Sequence, residues 1–139
     1  TDDGTRLLID TPPELRLQLV AAGIAHVDAV LFTHEHADHI HGIDDLRALT
    51  VRRSGPLPLY GEAPTLETLR SRFPYVFDAA FRPLPGTTRP EGLPIEIRAG
   101  EAFAVGDVQV MPLAVPHGRA SVLGFRVGDI AYITDAKEI

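Results

Sequence analysis

Residues Thr33-His34-Glu35-His36-Ala37-Asp38-His39 follow directly on the apolar run Val27-Asp28-Ala29-Val30-Leu31-Phe32. A short run rich in β-branched and large apolar side chains predicts a buried strand. In an extended chain alternate side chains share a face, so His34 and His36 point the same way and can share one cation. Asp38 and His39 are adjacent and must diverge unless the chain turns. A turn is expected there, because a helical spacing begins at once with Ile40, Ile43, Leu46 and Leu49. Asp38 suits the N-cap or first turn of that helix. Two ligand pairs on either side of a strand-to-helix turn suggest two metal ions side by side. A single histidine is more often a surface or core residue, and two at alternate positions would be weak evidence. Three histidines and an aspartate beside a buried strand are costly to fold around unless a cation neutralises them. The donors are nitrogen and oxygen only, which suits zinc, manganese, iron or nickel rather than a thiolate-closed structural zinc.

Outward from this stretch, the chain alternates strand and helix signals and then turns to strands. Asp3-Gly4 reads as a hairpin turn before a strand from Arg6 to Asp10. Pro12 and Pro13 open a helix that runs to Ala22 and stops at Gly23. The helix after the motif is expected to end near Arg53-Ser54-Gly55-Pro56. A short strand follows at Leu57–Tyr60, then a helix from Pro64 to Phe73. Pro and Gly density predicts an irregular surface segment from Pro74 to Pro94. Strands are expected over Ile95–Arg98, Ala102–Val105, Val108–Val115, Val122–Val127 and Ile130–Thr134, the last two joined as a hairpin at Gly128-Asp129. Alternating strands and helices followed by a strand meander fit two packed sheets with helices outside.

The 139 residues have room for one domain with a real core, at 45% hydrophobic content. No apolar stretch approaches the roughly 20 residues of a membrane-spanning helix, and no signal-peptide pattern is seen at the start. The chain has no cysteine, so disulfides and thiolate sites are excluded, and the cytoplasm is the expected compartment. The formal charge of −6 and the dispersed arginines, which make up all basic residues but Lys137, disfavour a nucleic-acid partner.

H-x-H-x-D-H after an apolar strand, together with Asp10, His117 and Asp135 at the ends of other strands, resembles the signature of the metallo-β-lactamase superfamily of di-metal hydrolases. The longer string Thr-His-Glu-His-Ala-Asp-His-Ile-His-Gly-Ile-Asp-Asp-Leu-Arg (33–47) resembles the branch that contains the phosphoribosyl 1,2-cyclic phosphodiesterase of the carbon–phosphorus lyase pathway. The resemblance implies a four-layer αββα sandwich over residues 1–139, truncated at both ends, so the chain is expected to be an internal part of a longer protein. It also implies two divalent ions, zinc or manganese first. His34, His36 and His117 would hold one, and Asp38, His39 and Asp135 the other, with Asp135 bridging. One further histidine of the second site is missing from the sequence.

Asp38 is the catalytic candidate, orienting a metal-bridging hydroxide while it ligates. Asp10 is expected behind the site, holding a ligand imidazole or the motif backbone. His41 either supports the site from behind or is exposed, with a fallback role as general acid. Glu35 is expected to face away, and His26 to lie at the surface. Arg47 can pair with a carboxylate near the site, whereas Arg119 and Ser121 are open between phosphate contacts and ordinary loop residues. The activity implied is hydrolysis of a small phosphate ester, a cyclic phosphodiester or similar. Thioester or lactam hydrolysis, an RNA nuclease on the same fold, and a metal-binding fragment without turnover are the alternatives. A homodimer is left open.

Overall fold

The computed structural model describes residues 4–137. Its first half alternates strand and helix: β1 (Leu7–Ile9), α1 (Leu15–Ala22), β2 (Ala29–Leu31), α2 (Ala37–Ile40), a 3-10 turn (Ile43–Leu46), α3 (Arg47–Thr50), β3 (Leu57–Gly61), α4 (Ala63–Arg72), α5 (Pro74–Phe77) and β4 (Gly92–Glu96). These strands form a four-stranded sheet in the order β1-β2-β3-β4, parallel throughout. The second half is a meander of β5 (Phe103–Val105), β6 (Val108–His117), β7 (Ala120–Val127) and β8 (Ile130–Tyr132), antiparallel throughout.

The central strand β2 shows how the layers are made. All three of its residues are fully buried, as a parallel strand covered on both faces requires. Val30 and Phe32 belong to the core formed with Leu15, Leu19, Ile43, Leu46, Leu66 and Leu69, which lies under the helices. Leu31, between them, faces Val110, Leu123 and Phe125 of the second sheet. Period-2 alternation in one short strand therefore feeds two separate cores. Each large side chain so buried contributes about 1.5–3 kcal/mol. The result is a helical layer, a parallel sheet and an antiparallel sheet. The fourth layer of the expected sandwich, helices on the far side of the second sheet, is not found among the described residues.

Local signals set most element ends. Gly23, at φ +64°, ends α1 by turning its N–H back to the last carbonyls of the helix. Three expectations shift. The helix foreseen after the motif is broken into α2, the 3-10 turn and α3. Its break comes at Gly42, whose N–H bonds to the Thr11 carbonyl at 2.8 Å instead of continuing the helical ladder. β4 begins at Gly92 and carries Pro94, which an edge strand tolerates. Within the segment expected to be irregular, Pro74–Phe77 closes a helical turn. The turn foreseen at Asp3-Gly4 rests on Asp3, which lies outside the described residues.

Candidate metal centre

After β2 the chain leaves the sheet in extended form. His36 occupies the N-cap of α2 with φ −65° and ψ 149°, and Asp38 and His39 fall in the helix that follows. The extended stretch places His34 and His36 on one side, with His34 Nε2 and His36 Nδ1 3.0 Å apart. The helical turn then brings His39 round to the same space, its ring centroid 4.2 Å from that of His34. Asp38 stays outside, its side chain 77% exposed at the mouth of the site, with Oδ2 3.5 Å from His39 Nε2.

The second sheet supplies the rest. His117 is the last residue of β6, and Asp135 follows β8. His117 Nδ1 donates to the Asp135 carbonyl oxygen at 2.8 Å, which leaves its Nε2 for a ligand. Asp135 Oδ2 lies 3.4 Å from His34 Nε2 and 3.2 Å from His39 Nε2. The Leu123 N–H bonds to the Thr33 carbonyl at 2.9 Å, tying β7 to the motif itself. Two groups of donor atoms result, His34/His36/His117/Asp135 and Asp38/His39/Asp135, each with its atoms within 4.8 Å of one another. Asp135 is common to both.

Behind the rings sits Asp10, 3% exposed. It accepts from the Thr33 N–H at 2.8 Å, the Thr33 hydroxyl at 2.7 Å and His39 Nδ1 at 2.7 Å. Both partners expected for it, a ligand imidazole and the motif backbone, are therefore present. Asp10 and Asp135 are also the non-glycine residues with left-handed backbone among those described, at φ 60° and 55°. Such conformations persist where the surroundings over-determine them, and here both turn a carboxylate into the same site.

Burial, then the neighbouring His39 and His36, pull the His34 pKa down to about 4. Burial acts the same way on His39, but the hydrogen bond and charge of Asp10, with Asp135 and Asp38, outweigh it and raise that pKa. Asp10 is raised because burial exceeds the help of its donors. For Asp135 burial is outweighed by the Thr134 hydroxyl and the three facing imidazoles, and its pKa is lowered. Imidazole nitrogens and carboxylate oxygens converging on one space are the donor chemistry that a divalent ion of the zinc or manganese type takes. The residues fit the group.

The other sequence candidates fall outside this cluster. His41 is exposed and belongs to neither donor group; its ring stands edge-on to Phe73 at 5.9 Å. Glu35 turns to the Thr65 hydroxyl at 3.0 Å. Arg47 pairs with Asp44 at 2.8 Å and also donates to the Thr88 carbonyl. His26 pairs with Asp28 at 3.0 Å, and Arg119 and Ser121 are exposed. Two residues of evident importance carry no assigned role in the sequence reading. Thr33 lies within the motif but has no metal-ligating group. Gly42 interrupts a helical pattern, the available signal; a Cβ on it would stand 1.9 Å from the Pro12 carbonyl oxygen. That close approach seats α2 against the β1–α1 loop and His39 against Asp10.

Comparison with known proteins agrees with this architecture. A crystal structure of a diphosphatase from the PhnP family superposes with a TM-score of 0.79 at 32% identity, covering 94% of this chain and 48% of that one. An octanoyltransferase of Porphyromonas gingivalis is 44% identical over 139 residues, all of this chain but 27% of that protein. A ribonuclease Z of a Bradyrhizobium species is 28% identical over 126 residues, 88% of this chain and 40% of its own length. The chain thus spans less than half of each of these relatives. The family described as the beta-lactamase superfamily domain matches residues 5–139, and with the two sheets and the shared-carboxylate cluster in place, the chain belongs to the metallo-β-lactamase superfamily.

Proposed function

We propose that this chain carries the metal centre of a di-metal phosphodiesterase acting on a small phosphate diester, a cyclic diester first. The observation that carries the reading is the sharing of Asp135 between two donor groups, the arrangement that sets two ions side by side. When bound, such ions supply Lewis acidity that brings the pKa of a water toward neutrality and offsets charge developing on phosphoryl oxygens. His34, His36 and His117 would hold one ion and Asp38 and His39 the other, with Asp135 available to both. Zinc and manganese both suit these donors. Asp38, exposed at the mouth, accepts a hydrogen bond from the attacking water and orients it toward phosphorus. His39 is held from behind by Asp10, so its Nε2 is kept on the site. In-line attack forms one P–O bond as the opposite one breaks, and the open side of the cluster leaves room for a diester to approach.

Phosphorus rather than an acyl carbon is favoured by the likeness to the PhnP-family diphosphatase. The ribonuclease Z likeness keeps an RNA phosphodiester as a second reading, although the net charge of −6 gives little help in holding a polyanion. The test is hydrolysis by the full chain after loading with zinc or manganese, comparing bis(p-nitrophenyl) phosphate, a nucleoside 2′,3′-cyclic phosphate, a short RNA and an acyl thioester. About two metal equivalents per chain and diester hydrolysis that His36→Ala abolishes are expected. Hydrolysis of the thioester alone, or one equivalent with no rate above the variant, would overturn the reading.

A further inference from the structure

We infer that Asp10 fixes the tautomers of two metal ligands at once, directly for His39 and through the Thr33 hydroxyl for His34, so that Thr33 is a positioning residue of the first donor group. The inference rests on the metal-centre reading for its purpose, but its geometry stands apart from it. Thr33 Oγ1 is buried between two acceptor-capable atoms, Asp10 Oδ2 at 2.7 Å and His34 Nδ1 at 2.9 Å. A hydroxyl has one proton to give. Donated to His34, it would leave hydroxyl and carboxylate lone pairs facing each other at 2.7 Å. Donated to Asp10, it leaves an oxygen lone pair on His34, which must then supply Nδ1–H. The His34 Nε2 lone pair is thereby turned toward His36 Nδ1 and Asp135, within the first donor group. The same Oδ2 also accepts Nδ1–H from His39 and turns that Nε2 toward Asp38 and Asp135. One buried aspartate thus orders one ring in each group.

Replacement of Asp10 by asparagine reverses the proton inventory. An amide N–H in the place of Oδ2 donates to the Thr33 oxygen and to His39 Nδ1. The Thr33 proton is then free for His34 Nδ1, and both imidazoles move their proton to Nε2. Thr33→Val removes only the His34 branch, and Thr33→Ser restores it. Long-range 15N–1H correlation spectra of histidine-labelled, metal-free full chain, recorded at alkaline pH where the rings are neutral, read the tautomers directly. The Nδ1–H form is expected for His34 and His39 in the parent. Loss of the preference is expected at His34 alone in Thr33→Val, with Thr33→Ser like the parent. Zinc competition against a chelator should show affinity weakened about 10- to 100-fold by Thr33→Val, the usual effect of losing such a partner. An Nε2–H His34 in the parent, or a Thr33→Val spectrum and zinc affinity equal to the parent, overturns the relay. The parent with the expected tautomers but no zinc binding would instead sink the metal-centre reading and leave the relay standing.

Discussion

The parallel sheet is covered by helices on one face and by the second sheet on the other, and it delivers its donor residues within the six positions from His34 to His39. The antiparallel sheet is a simple meander, and its two donor residues, His117 and Asp135, lie 18 residues apart. They meet because β6 and β8 run the same way on either side of β7, and the chain continues past Tyr132 toward the His117 end of the sheet. The chain then crosses back toward β6, as the Lys137 N–H to Pro116 carbonyl bond at 3.3 Å records. One sheet supplies a site by local turn geometry, the other by strand pairing. The proposed metal centre draws on both, since each donor group contains members from each sheet.

The largest effects are expected where ligands are removed. His34→Ala from the first sheet and His117→Ala from the second should each lower diester hydrolysis by on the order of 10³-fold, the rate equivalent of several kcal/mol of lost charge stabilisation. Steady-state rates at fixed metal concentration check this. A His117→Ala protein with undiminished rate would show that the second sheet is a scaffold and no partner. Next comes the joint between the sheets. Leu123, 1% exposed in the inter-sheet core, should cost about 2–5 kcal/mol on truncation to alanine, visible in urea unfolding midpoints.

Gly42→Ala probes the seating of the motif helix against β1. Its Cβ meets backbone, so about 1–3 kcal/mol of strain is expected, with zinc affinity falling alongside stability. Unchanged zinc affinity would separate the seat of α2 from the placement of His39.

The pH response sharpens the contrast between neighbouring imidazoles. The folded-state pKa of His34 is held near 4 by burial first, below its ordinary 6.5. Between those values the unfolded chain binds a proton that the folded one does not, so stability of the metal-free protein rises with pH there and is lost on acidification through that window. His39, raised chiefly by Asp10 against its burial, has the opposite sign: its contribution is present below the ordinary value and lost as pH rises through the folded one. Unfolding midpoints taken at successive pH values in chelator-treated protein measure the balance. A midpoint flat from 6.5 down to about 4, in a His39→Asn background that removes the opposing term, would contradict a neutral buried His34. The smallest effect is reserved for His41, which packs on Phe73 outside both donor groups. Its change to alanine should shift stability by less than about 0.5 kcal/mol and leave metal stoichiometry intact, as metal analysis would show.

Much of this was readable from residue order. Val30, Leu31 and Phe32 announced a buried strand, and the spacing of His34, His36, Asp38 and His39 announced a cation site, because side-chain direction in strands and first helical turns follows from backbone geometry alone. What escaped was tertiary in origin. The helix after the motif breaks at Gly42 because another loop's carbonyl occupies the space of a Cβ; the glycine is visible in the sequence, but the Pro12 carbonyl that requires it is not. Thr33 shows the same limit: its part depends on Asp10 lying 2.7 Å away across the sheet, a contact fixed by the pairing of β1 with β2.

The sequence by itself determined the chemistry on offer: nitrogen and oxygen donors, no thiolate, and a strand-to-helix turn that crowds four of them together. It also determined that β2 lies between two layers, since an apolar run buried at every position demands a partner on each face. The family resemblance already implied the grouping of the donors and the shared Asp135; only the tertiary structure decided their distances and that Asp10 turns His39 directly. Those outcomes depend on segments far apart in the chain converging where the two sheets meet, and there packing, not local propensity, fixes distances to a few tenths of an ångström.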